Sequence, residues 1–290
     1  MITNIILLTI ALIALIIASI TDIKTREVPD WFNFSLIFIG LGIRLIHSSL
    51  TFDWIYMLEG FAGLIIGVVI AYIMFYAGQW GGGDSKLLMG LGALVGLGFS
   101  FNSLPTFLVL IINIIFVGAV YGLIFIITHA IIHRKAFSQE FGKYFKSEKR
   151  IRLHKYFAGL SLALLVLALT ISKDFMIRLL LLVLVFMLYL SVYVYFMVKS
   201  VENISMFKLV SPEELTEGDW IPEDIIINKK RIAGPRDLGI SREQIKRLIA
   251  YKKKGKIKKV LMKNGIPFVP SFLIGFILTL VWGAWWLILF

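Results

Sequence analysis

The chain has 290 residues, of which 59% are apolar and only 17% charged, with a mean hydropathy of +0.87. So little polar surface cannot cover the core of a water-soluble domain of this size, so the fold expected is an all-α polytopic membrane bundle of about eight helices with a small cytoplasmic α+β domain. The lack of cysteine excludes disulfides, iron–sulfur clusters and cysteine-bound zinc. The net charge of +12 is read as loop bias toward membrane lipid, and no nucleic-acid partner is expected.

Apolar runs predict helices over residues 3–21, 33–50, 56–78, 86–99, 105–131, 155–172, 175–198 and 266–289. The first run lacks a basic leading region and a small-residue cleavage site, so it reads as a retained helix. Directly after it comes a connection from Asp22 through Lys24, Arg26, Glu27 and Val28 to Pro29 and Asp30, where Asp30 can cap the second helix. After the third helix, Gly81, Gly82, Gly83, Asp84, Ser85 and Lys86 open a short fourth one. Its glycines at 90, 92, 96 and 98 predict close packing inside the bundle.

Residues 1–131 therefore form a first set of membrane helices that carries the acids of interest, and 132–154 a basic cytoplasmic loop suited to anionic lipid. Residues 155–198 read as a membrane helix pair. The stretch 199–265 is too long for a connection and turns charged, so it reads as the small cytoplasmic domain. In it, Ser211 to Glu214 begin a helix, Trp220–Ile221 and Ile225–Ile227 form short strands, and Ser241 with Gln244 makes a capping box. Residues 266–290 supply the final membrane helix. With the N-terminus outside, the connections at 21–32, 79–85, 132–154 and 199–265 and their edges gather every Lys and Arg except Arg44, Lys173 and Arg178.

A carboxylate near hydrocarbon is costly, so acids at membrane ends are informative. Asp53, Glu59 and Asp174 fall on the outer side and are explained by interfacial solvation. Asp22, Glu27, Asp30 and Asp84 fall on the cytoplasmic side. Taken singly, Asp84 reads equally as a helix N-cap after a flexible turn, and Asp22 as a polar stop. Taken together, two carboxylates at one depth on packed helices can share a proton and divide the roles of acid and base, without metal or cofactor. Glycines at 81, 82 and 83 leave room for a peptide backbone, Lys86 either tunes Asp84 or is an interfacial cation, and Glu27 and Asp30 either attract a basic segment or serve capping and solvation. The four histidines form no His-Glu-x-x-His motif, and His129 and His133 read as an interfacial helix end.

The run from Asp22 to Pro29 and Asp30, with Gly81-x-Gly-Asp84 and Lys86 after the third helix, resembles the type IV prepilin peptidases, closest to archaeal members that include preflagellin peptidases. Pro267-Phe268-x-Pro270 is similar to a segment that begins a late helix in that family. The resemblance covers residues 1–130 and 265–290. It implies an intramembrane aspartic peptidase of the cytoplasmic membrane, with Asp22 and Asp84 as its catalytic pair and Gly81 and Gly83 as motif glycines. It further implies removal of a short basic leader from prepilin-like or preflagellin-like precursors. Bacterial relatives add a cysteine-rich segment and a methyl transfer; with no cysteine here, cleavage alone is expected. The rival expectation is an ion- or proton-coupled transporter using the same two aspartates.

Overall fold

A computed structural model describes residues 2–98, 104–146, 148–171 and 174–289. Asn102 and Lys173, which sequence assigns to the outer side, lie outside the described residues. The chain forms a helical membrane bundle with a small strand-containing region. Among the described residues, five helical segments are long and apolar enough to cross a membrane: Ile2–Thr25, Asp30–Thr51, Trp54–Tyr76, Thr106–Ile132 and Phe175–Met206. Lys155–Leu167 and Val269–Trp282 are shorter apolar stretches. The protein is thus multi-pass.

Helix α1 (Ile2–Thr25) runs a turn further than the apolar pattern predicts. Asp22 therefore sits on its last turn and not in a connection. Thr21 and Thr25 each donate a hydroxyl hydrogen bond back to carbonyls one turn earlier, at Ile17 and Thr21, which satisfies them inside the helix. The helix ends where Arg26 turns to φ 62. Asp30 does not cap α2 (Asp30–Thr51): Pro29 occupies the cap position, and Asp30 lies in the first helical turn.

Helix α4 (Gly82–Val95) has 14 residues, about 21 Å of rise, which is short of a ~30 Å hydrocarbon layer. Its predicted continuation to residue 99 fails because Gly96 and Gly98 adopt left-handed φ of 70° and 69°. What it lacks in length it gains in burial, lying against α2 and α3 (Trp54–Tyr76) through glycines that let backbones touch. A Cβ on Gly63 of α3 would stand 2.3 Å from the Gly92 carbonyl oxygen, and one on Gly40 of α2 would stand 2.9 Å from the Ala93 carbonyl carbon. Leu87, Leu88, Leu91 and Leu94 fill the core between them. Arg44 of α2, 2% exposed, secures the far end by donating to the carbonyls of Ala93, Leu94 and Val95, and to that of Tyr56.

The described chain divides into two compact units. One holds residues 1–122, 210–260 and 265–290: α1 to α4, most of α5 (Thr106–Ile132), the small module and α10 (Val269–Trp282). In the module, β1 (Ile225–Ile227) pairs antiparallel with β2 (Lys230–Ala233) across a turn at Asn228 and Lys229, both at positive φ. Helix α9 (Arg242–Lys253) starts at the expected capping box: Ser241 accepts Gln244 N–H, and the Gln244 side chain accepts Ser241 N–H. The stretch after Ser211 is a 3-10 turn, Pro212–Glu214, and not the start of a longer helix.

The other unit holds residues 123–209 and 261–264. The basic stretch expected as a loop is helical here, as α6 (Arg134–Lys146), with α7 (Glu148–Ile171) following. Phe137 stacks on Phe141 one turn on, so the segment has an aromatic face that irregular chain would leave unpaired. Asp174 caps α8 (Phe175–Val201) by accepting the Met176 and Ile177 N–H groups. A π-helical turn then holds the buried Glu202 between Lys199 and Lys263, at 2.6 and 2.9 Å.

Candidate active site

Asp22 is 6% exposed, and its carboxylate accepts the Val269 N–H at 2.9 Å. Val269 is the first residue of α10, so a free amide and the positive end of that helix face the acid. Proline at 267 and 270 fixes the chain here, and the nearby Phe268 ring lies 6.0 Å from Trp80. Of the late segment, sequence reading offered the prolines; the amide that orients Asp22 is legible only in three dimensions.

Asp84 is half-buried at the third position of α4. It is not the N-cap: Gly81 is, and the Asp84 side chain reaches back to accept the Gly81 N–H at 3.1 Å. Asp84 is within electrostatic reach of Asp22. Two carboxylates from α1 and α4 are therefore near enough to influence each other's charge, and each accepts a backbone amide from a helix start.

The three glycines differ in what surrounds them. A Cβ on Gly83 would lie 3.3 Å from the Val28 nitrogen, so its lack of side chain admits the chain that follows α1. Around Gly82 the nearest atom would be 4.0 Å away, on Phe75, and around Gly81 only the Asp84 carboxylate comes close, at 3.5 Å. Free space adjoins residues 81 and 82, while the space at 83 is filled. Asn33, fully buried on α2, ties this arrangement together by donating to the Val28 carbonyl at 3.5 Å and the Gly83 carbonyl at 3.3 Å. Sequence reading missed Asn33, although a lone amide in an apolar helix is a usable signal.

Lys86 pairs with Asp30 at 2.6 Å, with its ammonium 5.9 Å from the Phe34 ring. That pairing partly neutralises Asp30 and gives Lys86 a local anchor. Glu27 is exposed and accepts the Thr216 hydroxyl at 2.6 Å, which brings the small module to the chain after α1. Trp220 of the module stands against the turn before the glycines: a Cβ on Gly78 would lie 3.2 Å from its ring. Half-buried Asp219 also faces this junction, and its carboxyl is pushed upward mainly by burial, with the Glu27 charge adding to it and bonds from Thr216 opposing it. Arg26 donates to the Gly265 carbonyl at 2.8 Å. In the other unit, the His129 ring packs against Phe125 and lies 6.0 Å from that of His133.

Residues 9–127 match the type IV leader peptidase family. The chain is 41% identical over 83 residues to the preflagellin peptidase of Methanocaldococcus jannaschii, 29% of this chain and 35% of that one. It is 33% identical over 129 residues to that of Methanococcus maripaludis, 40% of this chain and 54% of the relative. It is 41% identical over 86 residues to that of Methanococcus voltae, 30% of this chain and 36% of the relative. The chain thus spans between about a third and about half the length of the curated relatives it matches. No solved structure matches it. The membrane segment 9–127, which carries Asp22 and Asp84, is thus similar to the type IV leader peptidase family.

Proposed function

We propose that this protein is a membrane aspartic endopeptidase that removes the short basic leader from preflagellin-like or prepilin-like precursors, with Asp22 and Asp84 as the catalytic pair. The observation that carries the proposal is that these two carboxylates lie within electrostatic reach of each other, each oriented by a backbone amide, within a segment similar to leader peptidases. The ionised carboxylate takes a proton from water while its protonated partner donates to the scissile carbonyl oxygen. Water oxygen then bonds to the carbonyl carbon, the tetrahedral species collapses, and a proton passes to the departing amine as the C–N bond breaks. Two carboxylates that share a proton titrate as a unit, so the two roles are assigned to the pair.

The proposed site lies at the cytoplasmic membrane edge, supported by the run of Lys and Arg in the connections on that side. A precursor's leader is basic and the segment after it hydrophobic, so its cut falls at the same depth. The transporter alternative draws no support from the relatives. In the test, purified protein is incubated with a preflagellin precursor: Asp22→Asn and Asp84→Asn should each lower turnover by at least about a hundredfold, with membrane insertion and melting temperature retained. Turnover within a few-fold of wild type in either variant removes that residue from the mechanism.

A further inference from the structure

We propose that an apolar cavity, walled in part by the neighbours of the two amides that hold the aspartates, is the subsite for a large apolar side chain of the substrate's hydrophobic helix, close to the bond that is cut. The inference rests on the leader-peptidase reading above and adds to it the group that sets the register of cleavage. The cavity measures about 250 Å³ and is walled by Met74, Trp80, Ile115, Ala119 and Phe268. Sites for whole small molecules run to roughly 300–1,000 Å³, so this space suits a single side chain of leucine or phenylalanine type.

Its position gives it meaning. Trp80 immediately precedes Gly81, whose amide holds Asp84, and Phe268 immediately precedes Val269, whose amide holds Asp22. Two of the cavity walls are thus each one peptide away from the donor that orients one carboxylate. The two rings face each other at 6.0 Å and both pack on Phe272, which makes this wall rigid. Gly118 leaves room for it: a Cβ there would fall 2.3 Å from the Phe268 ring. A side chain seated in the cavity would fix the attached backbone beside both acids.

The mouth faces the right medium for such an occupant. Ile115 and Ala119 are one turn apart on the membrane-spanning α5, and both are exposed, so the cavity opens sideways toward lipid. That is the direction from which a helix still in the bilayer arrives. Gln79, also exposed, adds an amide to the lining, able to bond the substrate backbone where its helix unwinds. A second cavity, of about 310 Å³ and lined by Thr106, Thr279 and Gly283, has no wall residue next to either of those amides.

The test uses the full chain in detergent and a series of preflagellin precursors carrying Ala, Leu or Phe at each of the first positions after the cut. At one position, wild type should favour Leu or Phe over Ala in kcat/KM by at least about tenfold. Ala119→Trp, which fills the cavity, should lower that preference at least about tenfold, and Ala119→Leu should lower it partly. Melting temperatures in detergent establish that both variants are folded. An unchanged preference in folded Ala119→Trp, as when a lipid chain is the true occupant, overturns the subsite, and so does an equal loss on every precursor. No cleavage by wild type, with Asp84→Asn as the blank, would instead overturn the peptidase reading and the subsite with it.

Discussion

Glycine carries different meanings along this chain, and position alone does not sort them. Gly98 is remote from the aspartates, so sequence reasoning gives Gly98→Ala a small effect. Its φ of 69°, with Thr106 Oγ1 2.9 Å from an added Cβ, points instead to a loss of stability of about 1–2 kcal/mol. Thermal melting should detect it. Gly83→Val is expected to damage cleavage by pressing on Val28 and shifting the pair, while Gly82→Ala, with open space around it, should cost less in stability. Comparing kcat and melting temperature for the two variants checks this. Asp219 offers a pH test. Its carboxyl is raised by burial, so the folded state holds the proton more tightly, and stability falls as pH rises from the ordinary carboxylate value through the raised one. Asp219→Asn should flatten that slope in melts across the acid range. A slope unchanged from wild type would remove Asp219 as its source.

At the scale of the element, α4 is the unusual piece: a short helix that sets the position of Asp84 at one end and is fastened at the other by Arg44. The guanidinium is suited to this because its fork of donors serves four carbonyls at once, with the Tyr56 ring 4.5 Å away. Arg44→Met should destabilise the protein by roughly 3 kcal/mol, since several buried carbonyls lose their partner. Arg44→Lys should recover little of that, because one ammonium cannot span the same carbonyls. Full recovery by lysine would show that charge alone matters there. Sequence places Arg44 only among the three basic residues near the outer face; its burial depends on the glycines of α3 and α4, which bring the backbones close enough to surround it.

For the molecule as a whole, the question is why a chain with its two candidate acids on membrane helices keeps residues 210–260 in the same compact unit. Thr216 and Trp220 reach the chain on either side of the pair, at Glu27 and at the turn before the glycines. Replacing residues 199–265 by a short linker should therefore leave some cleavage of a short peptide but weaken that of a full precursor. Trp220→Ala with Thr216→Val should raise KM several-fold more than it lowers kcat. Equal effects on both substrates would assign the module a purely structural role. The proposed orientation is tested by single cysteines at Ser211 and Asn102, which should label from opposite sides of the membrane.

Membrane character, the candidate acids and the capped helix of the small module were legible in the sequence because each rests on a local property. Hydropathy needs only a run of residues, a capping box only Ser241 and Gln244, and the motif around Asp84 only its immediate neighbours. The turn that carries Asp22 into α1, the end points of the short α4 and the helix in the basic stretch were misread, since hydropathy does not report backbone hydrogen bonds or the sign of φ. The partners of the acids were beyond sequence for a different reason. Val269 lies 247 residues from Asp22, and Asn33 reaches Gly83 from another helix, 50 residues away. Which amide meets which carboxylate, and where space is left beside them, was decided only when the glycine-faced helices closed on one another, because close packing fixes those distances jointly and no single segment encodes them.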